Sequence, residues 1–372
     1  MELIILRSNL LEGLQFIEKG VGGSDKLPVL ENIKLQAKEN NKVVLTSTDL
    51  EIAIEATVSG KVKEKGTVII PFDVFNNIVS NLNSEKINLV KKDNKINLNS
   101  DNYEANIVCE NPEEYPVIPT IENRTKSIEI NSEVLENHLN RASVATKHSD
   151  IRPEINGVYL DYKGENISFV GTDSFRLVES VLRKQEFQSN LDEMKVIVPL
   201  DTVDTILKNL SGVEGEVEIF VDPNQIKFES KNLSVISRLV EGDYPDYKAV
   251  IPKSTEQDLS IKRKELQNAV KTTKTFSGKA QDISLKIGDN KKVLQVTSFD
   301  SSVGENNYRV PVDIKGEQNE FAVNFNWRYI LDGVNILESD SIELGFNDPD
   351  KPVVMKDKDI PSLTYVVMPI RS

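Results

Sequence analysis

The sequence repeats one short ending three times: Val117-Ile118-Pro119, Val250-Ile251-Pro252 and Val367-Met368-Pro369. In each copy a proline ends an extended apolar run, and the three copies divide the chain into units of similar length. An internal repeat sets the architecture of a chain, because every copy forms the same supersecondary unit. We therefore expect three similar domains.

Polar stretches mark the boundaries between the units. Residues Thr120 to Ser127 and Lys253 to Asp258 have almost no apolar content, which is typical of exposed linkers between domains. At roughly 150 residues per domain, a chain of 372 residues is expected to form two or three domains. We place the domains at residues 1–122, 123–254 and 255–372.

Two helical patterns recur in every unit. An early pattern has apolar or small residues at spacing 0, 4 and 7, and a later one has them at 0, 3, 4 and 7, as on a helix with one buried face. The early stripes are Leu10, Leu14 and Ile17; Leu135, Leu139 and Ala142; and Leu266, Val270 and Thr273. The later stripes are Phe75, Ile78, Val79 and Leu82; Val203, Ile206, Leu207 and Leu210; and Trp327, Ile330, Leu331 and Val334.

Alternation of period two fills the space between the helices. It runs from Lys42 to Val58, from Ile167 to Val181 and from Val293 to Val310, and it indicates antiparallel strands with one face in the core. Turn-forming residues such as Lys92-Asp93-Asn94 and Asp222-Pro223-Asn224 separate strand pairs. The fold class is therefore α+β, with two helices packed on antiparallel sheet in each of three domains.

Composition limits the classes of protein that this chain can belong to. Hydrophobic residues make up 38% and charged residues 28%, as in globular domains. The N-terminal MELIIL run meets Arg7 too early for a signal-peptide core, and no apolar stretch is long enough to span a bilayer, so we expect a cytoplasmic protein without membrane partners. Cys109 is the only cysteine, which excludes an intrachain disulfide, and we expect it to be buried.

Residues for catalysis are few. His138 and His148 are the only histidines, they form neither an HExxH pair nor an evident triad, and we expect both to be exposed. Asp49 and Asp173 recur at equivalent places in two units, where each is expected to fix a turn through backbone hydrogen bonds and not to bind a metal. We expect no enzymatic activity, no metal and no cofactor, with a metal-dependent hydrolase as a formal alternative.

Several of the repeated segments resemble the bacterial sliding clamp, the beta subunit of the DNA polymerase III holoenzyme. Thr46-Ser47-Thr48-Asp49-Leu50-Glu51 and Gly171-Thr172-Asp173-Ser174-Phe175-Arg176-Leu177 are similar to the paired TDLE and TDxxRL signatures of that family. Four further segments are similar to it, in order along the whole chain: Leu27-Pro28-Val29-Leu30, Arg152-Pro153-Glu154-Ile155-Asn156-Gly157, Tyr244-Pro245-Asp246-Tyr247 and Tyr365-Val366-Val367-Met368-Pro369-Ile370-Arg371.

The resemblance implies a DNA replication processivity factor. Such a chain forms a head-to-tail homodimer whose six domains close into a ring around duplex DNA, with helices inside and strands outside, which pairs edge strands that single domains would leave open. Its implied partners are double-stranded DNA bound without sequence preference, the replicative polymerase, an ATP-driven clamp loader and repair proteins. We expect the dimer interface near Val108 and Phe276. A monomeric three-domain scaffold that does not encircle DNA remains an alternative.

The resemblance also implies a peptide-binding pocket between the second and third domains. Short branched and thioether side chains there would form an adaptable apolar cavity for leucine and phenylalanine of a partner's linear motif, oriented by Thr172 and Arg371. A purely structural role in the core is the alternative for Leu177, Val250 and Val366. The implied residues are Ile155, Thr172, Ser174, Phe175, Arg176, Leu177, Pro245, Val250, Asn326, Tyr329, Val366, Val367, Met368, Pro369, Ile370 and Arg371.

The charge of the chain has to be reconciled with a DNA partner. Its 45 basic and 59 acidic residues give a net charge of −14, yet affinity for DNA depends on local phosphate contacts. From Leu259 to Ala280 basic residues outnumber the single acid Glu265, although a solvated helix face would look the same. The basic residues there are Lys262, Arg263, Lys264, Lys271, Lys274 and Lys279. The DNA-facing residues that the resemblance implies are Lys26, Lys147, Ser149 and Arg152.

Overall fold

The computed structural model describes residues 1–23, 27–211, 213–288, 290–316 and 320–370. Within these ranges the chain forms six α-helices, each of which directly follows a strand. The helices are α1 (Arg7–Ile17), α2 (Phe72–Asn81), α3 (Ser132–Ser143), α4 (Leu200–Leu210), α5 (Arg263–Thr273) and α6 (Trp327–Ile336). None of the helices in the described ranges is long and apolar enough to cross a membrane.

Strands make up most of the remaining structure, and every strand pair is antiparallel. They are β1 (Glu2–Leu6), β2 (Asn32–Ala37), β3 (Lys42–Thr48), β4 (Ile52–Glu64), β5 (Gly66–Pro71), β6 (Lys86–Lys92), β7 (Lys95–Asn99), β8 (Glu104–Val108), β9 (Ile128–Asn131), β10 (Gly157–Lys163), β11 (Asn166–Thr172), β12 (Arg176–Arg183), β13 (Phe187–Ser189), β14 (Glu193–Pro199), β15 (Glu216–Asp222), β16 (Gln225–Glu229), β17 (Leu233–Arg238), β18 (Gln257–Lys262), β19 (Asp282–Ile287), β20 (Val293–Asp300), β21 (Gly304–Gly316), β22 (Phe321–Asn326), β23 (Ser341–Phe346), β24 (Val353–Asp357) and β25 (Leu363–Val367).

The helical stripes predicted from the sequence are confirmed. All nine residues of the early stripes are fully buried, on α1, α3 and α5. The later stripes lie on α2, α4 and α6, except that Leu82 directly follows α2; Ile78, Leu207 and Trp327 are partly exposed, and the other members are buried. The predicted strand pairs are confirmed as β3–β4, β11–β12 and β20–β21. The α+β repeat therefore follows from hydrophobic periodicity alone.

The chain divides into two compact units, and the first comprises Met1–Leu135, Phe187–Leu191 and Asp204–Leu239. Its thirteen described strands form one sheet in the order β13-β9-β15-β16-β17-β4-β1-β6-β7-β8, with β2, β3 and β5 attached beside β4. Strands of the first repeat and of the second repeat meet where β4 pairs with β17. That pairing places Ile52 opposite Ser237 and Ala53 opposite Ile236.

The second unit comprises Glu136–Glu186, Asp192–Val203 and Val240–Ser372. Its twelve described strands form a sheet in the order β14-β10-β11-β12-β25-β24-β23-β18-β21-β20-β19-β22. Here the second repeat meets the third where β12 pairs with β25, which places Arg176 opposite Val367 and Leu177 opposite Val366. The middle repeat therefore contributes strands to both units.

The two stretches predicted as exposed linkers are only partly so. Ile121 is buried against Ala53, Phe220 and Ile236, so the first stretch packs onto the sheet. Gln257 is buried and begins β18, so the second stretch ends before its predicted end at Asp258. Polar composition did not reveal either feature, because one apolar anchor or one buried amide is enough to fix an otherwise polar segment.

The prediction that both histidines are exposed is wrong for His138. This residue is buried on α3, where it is three positions after Leu135 and four before Ala142, on the buried face of the helix. Its Nδ1 lies 2.8 Å from the Ser180 hydroxyl oxygen, which satisfies one polar atom of the ring. His148 is exposed, as predicted. Cys109 is buried, also as predicted.

Candidate functional site

A tight turn between β11 and β12 opens the candidate site. The Thr172 hydroxyl donates to the carbonyl oxygen of Arg176 (2.7 Å) and accepts from the backbone N–H of Ser174 (3.1 Å). Asp173 Oδ1 accepts from the backbone N–H groups of Phe175 and Arg176, both at 3.0 Å. Ser174 has a positive φ of 75°, which costs a non-glycine residue conformational energy. Side-chain hydrogen bonds on both sides hold the turn in this conformation.

The first repeat builds the same turn between β3 and β4. Thr48 bonds the carbonyl oxygen of Ile52 (2.8 Å) and the N–H of Leu50 (3.1 Å), and Asp49 accepts from the N–H groups of Glu51 and Ile52. Leu50 has a φ of 77°. The prediction that the two aspartates fix turns is confirmed. No group of three or more potential metal ligands occurs among the described residues.

A third aspartate turn, which the sequence reasoning missed, lies between β20 and β21. Asp300 Oδ1 accepts from the backbone N–H of Ser302 at 2.8 Å. The residue before it is Phe299, where the other two turns have threonine. A comparison of Thr46-Ser47-Thr48-Asp49 with Thr297-Ser298-Phe299-Asp300 would have indicated it, because the aspartate and the two leading residues are shared.

The C-terminal strand is docked against the Thr172 turn. β25 pairs with β12, and beyond the paired residues the Met368 N–H donates to the carbonyl oxygen of Phe175 (2.8 Å). The Ile370 N–H then donates to the carbonyl oxygen of Asn324 at the end of β22 (2.8 Å). These bonds bring the predicted residues Phe175 to Leu177 and Val366 to Ile370 together in one place.

The site has a buried apolar floor and an exposed apolar rim. Leu177 and Val366 are buried in a cluster with Val170, Tyr247 and Val354. On the rim, the side chains of Phe175, Val250 and Ile370 are 59%, 42% and 42% exposed, and Pro245, Met368 and Pro369 are half-buried. A core role therefore describes Leu177 and Val366, whereas Val250 is not a core residue. Val367 is buried within β25.

Arg176 links the turn to α6. Its Nε lies 3.0 Å from Asp173 Oδ2, its Nη1 pairs with Asp332, and its guanidinium carbon is 4.6 Å from the centre of the Tyr329 ring. Burial alone lowers the pKa of Arg176, but the nearby Tyr365 hydroxyl and the two carboxylates raise it above its ordinary value. The guanidinium is therefore a fixed cation that orients its neighbours.

The remaining predicted pocket residues have mainly structural contacts. Asn326 caps α6, where its side-chain oxygen accepts from the Arg328 N–H at 2.9 Å. The Tyr329 carbonyl oxygen accepts from the Tyr365 hydroxyl at 2.7 Å. Ile155 is buried in a short 3-10 turn and offers almost no surface. Arg371 lies outside the described residues.

Stacked tyrosines border the apolar floor, and sequence reasoning did not assign them to the site. The rings of Tyr159 and Tyr244 stack with centres 4.6 Å apart, and both pack against the Leu177 cluster. The Tyr247 hydroxyl donates to Glu179 Oε1 at 3.1 Å. Burial, with the nearby carboxylates of Asp161 and Asp243, raises the pKa of Tyr159 to about 12. The aromatic wall is therefore neutral across the physiological range.

The predicted DNA-facing residues have different surroundings. Lys147 is exposed. The Ser149 hydroxyl accepts from the Arg152 N–H at 3.1 Å, and the Arg152 guanidinium donates to Glu154 (2.9 Å) and to the Ser174 hydroxyl (2.8 Å). A phosphate would have to compete for Arg152 with these two partners. Lys26 lies outside the described residues.

On α5 the basic residues are unevenly available. Lys262, Lys264 and Lys271 are exposed. Arg263 donates from Nε to the carbonyl oxygen of Ser339 at 3.1 Å, and the Lys274 ammonium lies 4.8 Å from the Trp327 ring centre. Two lysines on this helix, Lys264 and Lys271, and Lys262 directly before it are therefore open to solvent, while the arginine of the helix is engaged with the protein.

Comparison with known proteins gives a consistent assignment along the chain. Sequence families for the DNA polymerase III beta subunit match in order: its N-terminal domain over residues 1–119, its central domain over 129–246 and its C-terminal domain over 248–371. The beta sliding clamps of Staphylococcus epidermidis and Staphylococcus aureus are 28% identical to the chain over 382 residues, which cover 100% of both proteins.

Solved structures show the same fold. The DNA polymerase III beta subunit of Pseudomonas aeruginosa superimposes with a TM-score of 0.92 at 25% identity, covering 100% of both chains. The sliding clamp of Bacillus subtilis gives a TM-score of 0.93 at 23% identity, covering 100% of this chain and 99% of that one. Three repeats of helices on antiparallel strands define the clamp class of folds. The chain belongs to the family of bacterial DNA polymerase III beta subunits, the beta sliding clamps.

Proposed function

We propose that the chain acts in DNA replication as a homodimeric ring that encircles duplex DNA, slides along it and tethers the replicative polymerase. The role as a replication processivity factor follows from the family, in which all three of its domains have counterparts. The ring, its partners and the residues that bind them are our inference. A monomeric scaffold that does not encircle DNA is not favoured, because the relatives that match over the full chain are sliding clamps.

Two strand edges support a head-to-tail dimer. Within the described part of the chain, β8 pairs only with β7 along its length, and the start of β21 pairs only with β20. The corresponding strands of the other repeats meet in β4–β17 and β12–β25. We infer that β8 of one copy pairs with the start of β21 of another, since an unpaired edge is a template for strand addition.

Exposed apolar side chains accompany both open edges. Val108 at the end of β8 is 54% exposed, and Phe299 and Val303 beside the start of β21 are 68% and 54% exposed. Phe276 is partly exposed, and its ring is the nearest contact for a side chain built at Gly304, the first residue of β21. The predicted interface residues Val108 and Phe276 thus each lie beside one of the two edges.

The Thr172 turn and the docked C-terminal run support the proposed peptide-binding pocket. The observation that carries it is the apolar floor of Leu177 and Val366, which lies beside a rim formed by Phe175, Val250 and Ile370. Exposed apolar side chains grouped around a buried apolar cluster are typical of surfaces that bind partner proteins. Through this pocket the polymerase, the clamp loader and repair proteins would bind in turn.

A truncation tests the pocket. Removing Pro369 to Ser372 takes away Ile370, whose N–H bonds the Asn324 carbonyl oxygen, and exposes the Thr172 turn. We expect at least a tenfold loss of affinity for a labelled peptide containing adjacent leucine and phenylalanine, measured by fluorescence anisotropy. The mass by light scattering should not change, because the described backbone contact of this segment is with Asn324 on β22 and with neither open edge. Unchanged peptide affinity would place the site elsewhere.

A chain with a net charge of −14 is repelled by DNA overall, so phosphate contacts alone are an unfavourable way to keep it on DNA. If roughly six phosphates were contacted, affinity would fall about a thousandfold between 50 and 200 mM salt. A closed ring avoids that dependence because it is linked to the DNA. The exposed lysines of α5, Lys264 and Lys271, and Lys262 at the end of β18 would then supply only weak contacts.

Retention on circular and linear DNA tests the ring. Protein loaded on a nicked circle should elute with it in gel filtration at high salt, and it should be lost once the circle is linearised. Loss from the intact circle at high salt, or equal retention on both forms, would show conventional binding.

We also propose domain boundaries after residues 122 and 254, and a cytoplasmic location, where the bacterial chromosome is replicated.

A further inference from the structure

The first unit contains a groove at the position that corresponds to the proposed pocket of the second unit. It has a volume of about 780 Å³, and its lining includes Thr48, Leu50, Ala53, Val117 and Ile236. The strand registers and the turn hydrogen bonds of this groove match those of the proposed pocket. Nothing in the proposed function uses this groove.

The backbone frameworks of the two places correspond. Ala53 lies opposite Ile236 in the β4–β17 pair, as Leu177 lies opposite Val366 in the β12–β25 pair. The Arg238 N–H donates to the carbonyl oxygen of Glu51 at 2.9 Å, which matches the bond from Met368 to Phe175 at 2.8 Å. The Thr48 turn, described above, completes the framework.

The proline-containing segments correspond as well. Tyr115-Pro116 in the first repeat matches Tyr244-Pro245 in the second, and Val117 leads the repeated ending as Val250 does. Pro116 and Val117 line the groove. The groove therefore has a counterpart for the Thr172 turn, for the floor and for the predicted residues Pro245 and Val250.

The groove has an apolar floor and an exposed apolar rim of its own. Ala53 and Ile236 are buried with Phe220 and Ile121. Leu50 is 46% exposed and Val117 is 94% exposed. Leu50 and Val117 are thus two exposed apolar side chains on a groove with an apolar floor, and a bound segment would cover them.

The charges at the rim differ from those of the proposed pocket. Glu51, Glu122 and Asp222 line the groove together with one cation, Arg238. The Arg238 guanidinium is already 3.6 Å from Glu51 Oε1. In the second unit the positions of Glu51 and Arg238 are taken by the uncharged Phe175 and Met368. The groove is therefore acidic and selects a cationic occupant.

We propose that this groove is a second docking site, and that it binds an extended segment of a partner protein in which an apolar side chain is flanked by lysine or arginine. The apolar side chain covers Ala53 and Ile236, and the cationic ones face Glu122 and Asp222. The part of this inference that rests on the proposed function is the likeness to the peptide pocket, whereas the groove, its exposed valine and its charge stand independently.

Counterpart substitutions in the full-length chain separate the two sites. The probes are two fluorescein-labelled peptides with the same leucine and phenylalanine core, one flanked by two lysines on each side and the other by two glutamates. In the Val250→Asp background we expect the lysine peptide to bind saturably, with one site per chain. Adding the uncharged substitution Val117→Asn, which removes the apolar contact without changing the charge of the groove, should weaken that binding at least tenfold. Val117 is almost fully exposed, so its substitution should leave the thermal unfolding temperature unchanged.

A charge reversal tests the selectivity. Glu122→Lys should weaken the lysine peptide about tenfold and strengthen the glutamate peptide. No saturable binding of the lysine peptide at millimolar concentration, or binding that both Val117→Asn and Glu122→Lys leave unchanged, would overturn the proposal. Failure of the pocket in the second unit has a different signature: Val250→Asp alone would then leave binding of the glutamate peptide unchanged, while the effect of Val117→Asn on the lysine peptide would persist.

Discussion

The guanidinium of Arg176 lies over the ring of Tyr329, 4.6 Å from its centre, and pairs with carboxylates on both sides. One carboxylate, Asp173, belongs to the turn that opens the proposed pocket, and the other, Asp332, belongs to α6. The side chain of Asp173 is only 5% exposed. The conformation of the turn therefore depends on a cation supplied from the neighbouring strand.

Removal of that cation should destabilise the second unit. Arg176→Gln leaves Asp173 as a buried, uncompensated charge, so we expect the free energy of unfolding to fall by about 3 kcal/mol. Arg183→Gln is the matched control, because Arg183 is an exposed arginine at the other end of the same strand, so its loss should change stability little. Urea denaturation followed by circular dichroism measures both. Equal effects of the two substitutions would contradict a special role for Arg176.

The positive φ of Leu50 predicts a stabilising substitution. A left-handed conformation costs a non-glycine residue about 1–2 kcal/mol, and Leu50→Gly removes this strain, with part of the gain offset by the greater entropy of glycine in the unfolded chain. We expect the free energy of unfolding to rise by about 0.5–1 kcal/mol. Leu27→Gly is the control, since Leu27 is similarly exposed but has a φ of −138°. A gain in that variant too would point to a cause other than strain.

His138 should make stability depend on pH. Burial, together with the charge of Arg141, lowers its pKa from 6.5 to about 4. Below pH 6.5 the unfolded chain therefore binds a proton that the folded chain does not, and stability falls until pH 4. Between pH 7 and 5 the loss should be about 2 kcal/mol.

The variant His138→Gln isolates this contribution, because glutamine can still bond the Ser180 hydroxyl but does not titrate. Its free energy of unfolding should fall less than that of the wild type between the two pH values, by about the same 2 kcal/mol. Parallel pH profiles for the two proteins would show that His138 is protonated equally in the folded and unfolded chains.

A single charge at an open strand edge should break the proposed dimer. Val108→Asp places a carboxylate at the end of β8, where we infer pairing with a second copy, so the mass by light scattering should fall from twice the chain mass of 41.8 kDa to the chain mass. Ile151→Asp is the control, because Ile151 is 91% exposed in the second repeat, which carries neither open edge. A monomeric wild type at micromolar concentration would remove the basis of the ring.

Local sequence signals predicted the repeat unit but not the way in which the repeats join. Helical stripes and alternating strands follow from periodicities of 3.6 and 2, which each segment carries in its own residues. The pairing of β12 with β25 joins segments far apart in the chain, and strand propensity contains no information about such partners. The same reason explains why the Tyr159–Tyr244 stack was not foreseen.

Other differences came from single residues that depart from the pattern around them. Ile121 is one apolar residue in a polar stretch, and His138 is one polar residue on an apolar helix face. At Asp300 the threonine of the other turns is replaced by Phe299, so a search for the paired residues could not find the third turn. For Ile121 and His138 the environment, and not the residue type, decided the structure.

The second and third repeats are linked covalently at one place in the chain and are held together by the β12–β25 pairing at another. The polypeptide passes from the second repeat to the third through residues 253–256. The contacts that hold the two repeats together lie elsewhere: residues 176–180 of β12 pair with residues 363–367 of β25, and Arg176 forms an ion pair with Asp332. A chain produced as two polypeptides divided after Lys253 would still contain every group of that joint. Two such halves should therefore be able to assemble when they are produced separately.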